Sequence, residues 1–373
     1  LLKVLILHAS AGAGHQRAAE ALALALPTVS EGCEVVVKDI LEFTPSMFRT
    51  GYAKGYLNLV RRAPDLWGYM YAQADRSALQ PYRQRIRTVF NKLNTRTFFR
   101  FYHEFDPDAV ICTHFMPLEI VSTMLKEGRT SAPLHCVVTD FAVHSLWLVP
   151  RLHTYFVATD EARRFLARHG YERVRKTGIP VDPGFGLRAD RTEARRRLGL
   201  QVEKPTLLIL SGGFGVGPTA ELVKAFCRTP GNFQLIVVSG RNAKLQAEVQ
   251  QAASPLGPGC LVLGFVENLH EVMDAADLVV TKPGGLSTSE SLAKGIPLML
   301  VDPIPGQEQR NSDYLLEHGA AVRLHDIADA AEKVERVLSD APRWARLKEN
   351  ASRLGSPHAA REIAQWVVQS VSE

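Results

Sequence analysis

Four stretches of this 373-residue chain carry residues whose types and spacing could do chemistry. In Gly12-Ala13-Gly14-His15 an imidazole follows a glycine turn at the end of an apolar run. Asp140 and His144 stand four apart in VVTDFAVHSLW, also after an apolar run. Ser211 to Pro218 (SGGFGVGP) is a glycine loop between an apolar run and a helical segment. The fourth and longest stretch is Thr281 to Asn311, TKPGGLSTSESLAKGIPLMLVDPIPGQEQRN. There Leu278-Val279-Val280 stops at Lys282-Pro283-Gly284-Gly285, and Ser287, Thr288 and Ser289 can cap a helix carrying Glu290. Gly295 and Pro297 end that helix, a short apolar strand follows, and Pro303 to Glu308 opens into a second helix. Helix N-terminal amides attract phosphate, and carboxylates accept hydrogen bonds from sugar hydroxyls. A Gly-Gly after a strand is, by itself, more often a plain βα turn. Two such loops in succession, each delivering helix amides and a carboxylate, outline a nucleotide-sugar site.

The elements that must position these residues alternate strand and helix. Apolar runs predict strands at Leu2 to Ala9, Val35 to Ile40, Ala109 to Cys112, Leu134 to Thr139 and His153 to Ala158, with an Ala-rich helix running from the first loop to about Leu26. Gly178 to Gly184 (GIPVDPG) reads as a hinge. Beyond it, strands at Thr206 to Leu210, Gln234 to Val238, Cys260 to Leu263, Asp277 to Val280 and Pro297 to Val301 alternate with helices. The expected fold class is α/β, with a parallel sheet in each of two domains, residues 1–183 and 184–356. The amphipathic segment 357–373 is expected to pack back on the first domain. Gly12-x-Gly14-x-x-Arg17 lacks the third small residue of a dinucleotide fingerprint, and no Gly-Lys-Ser/Thr follows to make a phosphate-binding P-loop. Asp106-Pro107-Asp108 has the look of a metal-binding Asp-x-Asp, but it precedes a strand and holds a turn proline, so no metal is expected. Five scattered cysteines without a Cys-x-x-Cys read as reduced core residues of a cytoplasmic protein. No leader and no spanning apolar run is evident, so the chain is not expected to cross a bilayer.

The net charge of +5 is unevenly spread. Between Arg49 and His103, 11 Lys and Arg face Asp65 and Asp75, a local balance of +9, and the same segment holds 11 of the 29 aromatic residues. A helix over residues 79–102 places Tyr82, Ile86 and Phe90 on one face and most arginines between them. A solvated basic face accounts for such a helix as well. Nucleic acid is the poorer partner, because no nucleic-acid module accompanies the charge. An interfacial segment fits better, with Trp67 entering the headgroup zone and Arg83, Arg85 and Arg87 meeting anionic lipids.

The stretch Thr281 to Asn311 resembles the donor signature of the glycosyltransferases that include monogalactosyldiacylglycerol synthase, processive diacylglycerol glucosyltransferase and MurG. Gly284, Gly285, Glu290, Gly295, Pro297, Gly306, Gln307 and Glu308 match it. Gly12, Gly14 and His15 resemble the Gly-Gly-Gly-His loop of that family, with Ala13 in place of the middle glycine. Thr139-Asp140 and His144 also match its lipid branch, although a turn or core role suits Asp140 and His144 equally. Asp182 stands where relatives carry a basic residue, which puts that phosphate contact in doubt. The resemblance, over about residues 3–325, implies the GT-B fold, two Rossmann-like domains facing across a cleft. It further implies a UDP-sugar with uracil at Val266 and the ribose on Glu290. The phosphates would lie on the amides of Gly213, Phe214, Gly285, Leu286 and Ser287, and the sugar on Gln307 and Glu308. Diacylglycerol would present its hydroxyl to His15 as general base, giving a β-glycoside by inversion without a metal or other cofactor. The enzyme would sit on the inner face of the membrane, with no protein partner evident. Glucose and galactose donors are not separated by the residues. A MurG-like transfer of N-acetylglucosamine to a polyprenyl lipid, a UDP-sugar 2-epimerase and a non-catalytic lipid-binding module remain alternatives. The Pro-Gly-Gln-Glu run, the basic aromatic segment and the presence of both Glu290 and His15 weigh against them in turn.

Overall fold

A computed structural model describes the chain apart from residues 11, 48, 50, 52–54, 56–62, 64, 67, 70–94, 213–216, 230 and 373. Trp67, Arg83, Arg85, Arg87, Gly213 and Phe214, and the greater part of the helix expected over 79–102, lie outside the described residues. The chain divides into two compact units. One comprises Leu1–Pro183, Ile304–Gln307 and His358–Glu373, the other Gly184–Pro303 and Glu308–Pro357.

The first unit holds strands β1 (Lys3–His8), β2 (Glu34–Asp39), β3 (Ala109–Cys112), β4 (Leu134–Val137), β5 (Thr154–Val157) and β6 (Val174–Lys176), in the order β2-β1-β3-β4-β5-β6. Every pairing is parallel, with Leu5 of β1 set between Val36 and Val110. Alternate residues of a strand face opposite sides, so β1 serves two cores. Leu5 and Leu7 join one that includes Phe98, Tyr102 and Trp147. Val4 and Ile6 join the other, built on the helix Ala13–Val29 and the terminal helix Ala359–Ser372 through Leu22, Leu26, Ile363 and Val367. Central strands covered on both faces need continuous apolar runs, which is why β1 and β3 read so plainly. The edge strands β2 and β6 are partly exposed, and β6 is only Val-Arg-Lys, a short charged edge that discourages further pairing.

The second unit holds β7 (Thr206–Leu210), β8 (Gln234–Val238), β9 (Cys260–Leu263), β10 (Leu278–Thr281), β11 (Leu298–Leu300) and β12 (Ala321–Arg323). Their order, β12-β11-β10-β7-β8-β9, is again wholly parallel and is the doubly wound arrangement in which the strand order reverses between β7 and β10.

The described end of the basic aromatic segment is the helix Thr95–Phe105. Phe98 and Tyr102 are core residues there, while Arg96 and Arg100 are exposed, so this end is an ordinary amphipathic surface helix. Further back, Met47, Leu66 and Tyr69 stand exposed. Among the described residues no helix is long and apolar enough to cross a membrane.

Candidate functional site

In the first unit the polar residues gather at the carboxyl ends of β1, β3 and β4, with the order reversal between β1 and β3. Gly12 is extended at φ 176°, and a side chain on it would meet nothing within 4 Å, so neither backbone nor packing demands glycine. A bare backbone there leaves room for a ligand's close approach. The helix starts at Ala13, which puts His15 in its first turn.

Thr113, directly after β3, holds His15 at both ends. Its hydroxyl donates to the His15 carbonyl at 2.9 Å, and its own carbonyl lies 2.8 Å from His15 Nδ1. A carbonyl only accepts, so Nδ1 carries the hydrogen and Nε2 keeps the lone pair. Thr139 Oγ1, after β4, lies 2.9 Å from the same Nδ1. The group that orients the imidazole is therefore a backbone carbonyl rather than the carboxylate a catalytic pair commonly uses. Burial lowers the His15 pKa to about 4, with nearby His8 adding to the fall and the Thr113 carbonyl opposing it. The ring is neutral at physiological pH.

His114 is the next buried histidine. Its ring meets that of His15 edge to face, centroids 4.6 Å apart, and its Nδ1 accepts the Met116 amide at 3.0 Å, capping the helix Phe115–Lys126. Burial holds it well below the ordinary histidine range. Trp147 packs 6.2 Å from His15 on a short turn that His144 caps by accepting the Leu146 amide at 3.1 Å. His144 thus has a structural duty, and Asp140 is partly buried in the same loop, next to Thr139.

Burial also lowers His8, and lowers His135 to about 3. A histidine whose folded pKa lies below 6.5 binds fewer protons folded than unfolded, so stability is full above 6.5 and lost as pH falls toward 4 and 3. Stability against urea is expected to fall between pH 7 and pH 4.5 by a few kcal/mol in total, since each tenfold difference in proton affinity is worth about 1.4 kcal/mol. His135→Phe should flatten that dependence. A urea midpoint constant over this window, or a steeper dependence in the variant, would contradict the assignment.

In the second unit three loops leave the carboxyl ends of β7, β10 and β11. The helix Gly285–Ala293 follows β10 with Gly284 at its N-cap. Ser287, Thr288 and Ser289 are therefore not caps. They lie inside the helix, and Thr288 Oγ1 bonds back to the Gly284 carbonyl at 2.7 Å. The amides of Gly285, Leu286 and Ser287 precede the first intrahelical bond, from Thr288 to Gly284, and no described side chain caps them. Glu290 lies one turn further in and is 1 % exposed. The helix Gln307–Glu317 follows β11, and its Asn311 donates to the Pro283 carbonyl at 3.1 Å, tying the two loops together. Glu308 Oε1 comes within 3.8 Å of where a Cβ on Gly284 would sit. Glu308 is half-buried in the first turn of its helix, as is Gln307, which is counted with the first unit. After β9, Val266 is half-buried beside Phe265, an exposed ring with the Arg241 guanidinium 4.1 Å from its centre.

Asp106 and Asp108 lie at the amino end of β3, the opposite pole of the sheet from His15. Asp108 accepts the Lys3 amide at 2.7 Å there, the turn role that Pro107 indicates. Among the described residues no three His, Cys, Asp or Glu side chains are grouped to hold a metal ion.

Processive diacylglycerol β-glucosyltransferase of Bacillus cytotoxicus is 30% identical over 371 residues, 98% of this chain and 93% of that one. The chain belongs to the diacylglycerol glycosyltransferase family. The namesake enzyme of Bacillus pumilus is 28% identical over 373 residues, 98% and 94% of the two chains. The monogalactosyldiacylglycerol (MGDG) synthase profile matches residues 15–181, and that of glycosyl transferases group 1 matches 190–354. Among solved structures, MurG of Acinetobacter baumannii superposes with a TM-score of 0.65 at 16% identity, over 99% of this chain and all of that one. The UDP-GlcNAc 2-epimerase of Neisseria meningitidis, bound to UDP-GlcNAc, gives 0.60 at 13%, over 99% and 100%. These likenesses establish the GT-B fold. Within this diacylglycerol glycosyltransferase, the sequence missed Thr113, His114 and Asn311 as supports of the site, and marked Thr139 only as part of the Thr139-Asp140 match. Their one outward signal is that each follows, or faces across a loop, the carboxyl end of a strand.

Proposed function

We propose that this glycosyltransferase transfers glucose from UDP-glucose to membrane diacylglycerol, giving a β-glucosyldiacylglycerol by inversion without a metal. The observation that carries the substrates is the 30% identity across 98% of the chain to a processive diacylglycerol β-glucosyltransferase. The donor sugar is glucose on that ground, and galactose, which the matched synthase profile names, is the second reading.

The chemistry follows from the residues. His15 Nε2 takes the proton of the diacylglycerol hydroxyl as its oxygen attacks the anomeric carbon. The bond from that carbon to the β-phosphate oxygen breaks, and its electrons leave with UDP. The amides of Gly285, Leu286 and Ser287, at the positive end of their helix, receive that charge, a task a divalent cation does elsewhere. Glu290 holds the ribose hydroxyls, Gln307 and Glu308 the sugar, and backbone groups at Val266 the uracil. The +9 segment from Arg49 to His103 attracts the enzyme to anionic lipid, each basic residue near the surface contributing about 1 kcal/mol.

The test offers diacylglycerol in phosphatidylglycerol vesicles with labelled UDP-glucose or UDP-galactose, in excess chelator, and reads the lipids by mass spectrometry. Hexosyldiacylglycerol from UDP-glucose is expected, together with vesicle binding that weakens as salt rises. Product from UDP-galactose alone would reassign the donor, and activity restored only by added magnesium or manganese would end the metal-free scheme. Equal binding to neutral and anionic vesicles would return the basic segment to a solvated surface.

A further inference from the structure

A lysine lies where the three donor-side loops meet. Lys282 follows the last residue of β10, and the chain doubles back immediately, the Gly284 amide donating to the Lys282 carbonyl at 2.8 Å. Its Nζ pairs with Asp302 Oδ2 at 2.7 Å, just after β11. Its stem runs against the loop after β7, where Cε lies 3.3 Å from the point a Cβ on Gly217 would occupy. Gly217 has φ +151°, so a side chain there would be strained and would also crowd the lysine.

Two features make this pair a poor fixed strut. The Asp302 carboxylate is 62% exposed, and ion pairs with one partner so well solvated contribute about 0–1 kcal/mol to stability. Asp302 is also one of three described non-glycine residues with positive φ, at +40°, a backbone state that costs energy and concentrates at ligand sites. Lys282, by contrast, is only 19% exposed, so its ammonium gains from any anion brought to it. It precedes by three residues the first open amide, that of Gly285.

We infer that Lys282 is a diphosphate-binding residue and that Asp302 is its substitute anion when no donor is bound. This rests on the UDP-sugar reading above and deepens it. On binding, Nζ exchanges the Asp302 carboxylate for phosphate oxygens, and Asp302, already facing water, is rehydrated at little cost. The lysine then shares with the helix amides the charge of the departing UDP. A carboxylate that must be displaced also weakens donor binding, which gives the two residues opposite signatures.

Calorimetry with UDP and with uridine separates these roles. Lys282→Met is expected to weaken UDP about 10- to 100-fold, the worth of a charged hydrogen bond, and to leave uridine unchanged. Lys282→Arg should keep most of the UDP affinity. Asp302→Asn should bind UDP more tightly than wild type, by a few-fold, and release it more slowly. Lys282→Met with wild-type UDP affinity, or with uridine weakened equally, would overturn the assignment alone. Asp302→Asn weakening UDP would make the pair a structural strut and overturn the exchange. A wild-type chain that binds uridine and UDP equally, or neither, would overturn the donor reading and the lysine's role with it.

Discussion

Replacing His15 with alanine is expected to lower kcat by about 10²- to 10⁴-fold, the usual contribution of a general base, with UDP binding as in wild type. The expectation comes from the tautomer. The Thr113 carbonyl at 2.8 Å holds the hydrogen on Nδ1, so Nε2 is left as the basic atom, and burial keeps the ring unprotonated down to about pH 4. A helix N-terminus favours the neutral form as well, because its partial positive charge opposes the imidazolium. The acid limb of kcat/KM should accordingly fall below the ordinary 6.5, toward 4. UDP binding should persist because Glu290, Lys282 and the open amides all belong to the other compact unit. His15→Gln keeps a polar group in the pocket without a base, and should be as slow as the alanine variant. A His15→Ala enzyme with more than a tenth of the wild-type rate, or an acid limb unmoved from 6.5, would leave His15 with a structural role only.

How far the sequence could be read follows from what each feature depends on. β1, β7 and β8 announce themselves because strands buried on both faces must be apolar throughout. β6 and β12, Val-Arg-Lys and Ala-Val-Arg, escape because three residues at a sheet edge carry no periodicity and include the charges that protect the edge. Glu290 and Glu308, which the proposal sets against the donor, follow their glycines at readable spacing. The cap was not legible. Ser287, Thr288 and Ser289 look like caps, yet the helix begins at Gly285 and leaves its first amides open. A side-chain cap would occupy the amides that an anion needs, so its absence fits the phosphate role proposed for them. The partner of His15 was hidden for another reason. It is a main-chain carbonyl brought 98 residues along the chain by the pairing of β1 with β3, and any residue type supplies a carbonyl.

Replacing Glu290 with alanine is expected to weaken UDP by about 10- to 100-fold, equivalent to roughly 1.5–3 kcal/mol for a charged hydrogen bond withdrawn from a protected site. The carboxylate sits in the helix Gly285–Ala293, one turn beyond the open amides, and is 1 % exposed, so water competes poorly for it. In the proposed donor site it accepts from the ribose diol, whose hydroxyls donate to a carboxylate oxygen. A buried glutamate removed from a packed helix can also disturb the fold, and affinity alone would not tell the two effects apart. The 2′-hydroxyl does. Wild-type enzyme should prefer UDP to its 2′-deoxy analogue, and Glu290→Ala should bind both with nearly the same, weaker affinity. Glu290→Gln, which keeps the shape and one acceptor, should retain part of the preference. If the alanine variant weakens UDP and 2′-deoxy-UDP in equal proportion, the wild-type ratio survives, and Glu290 supports the helix without touching the ribose.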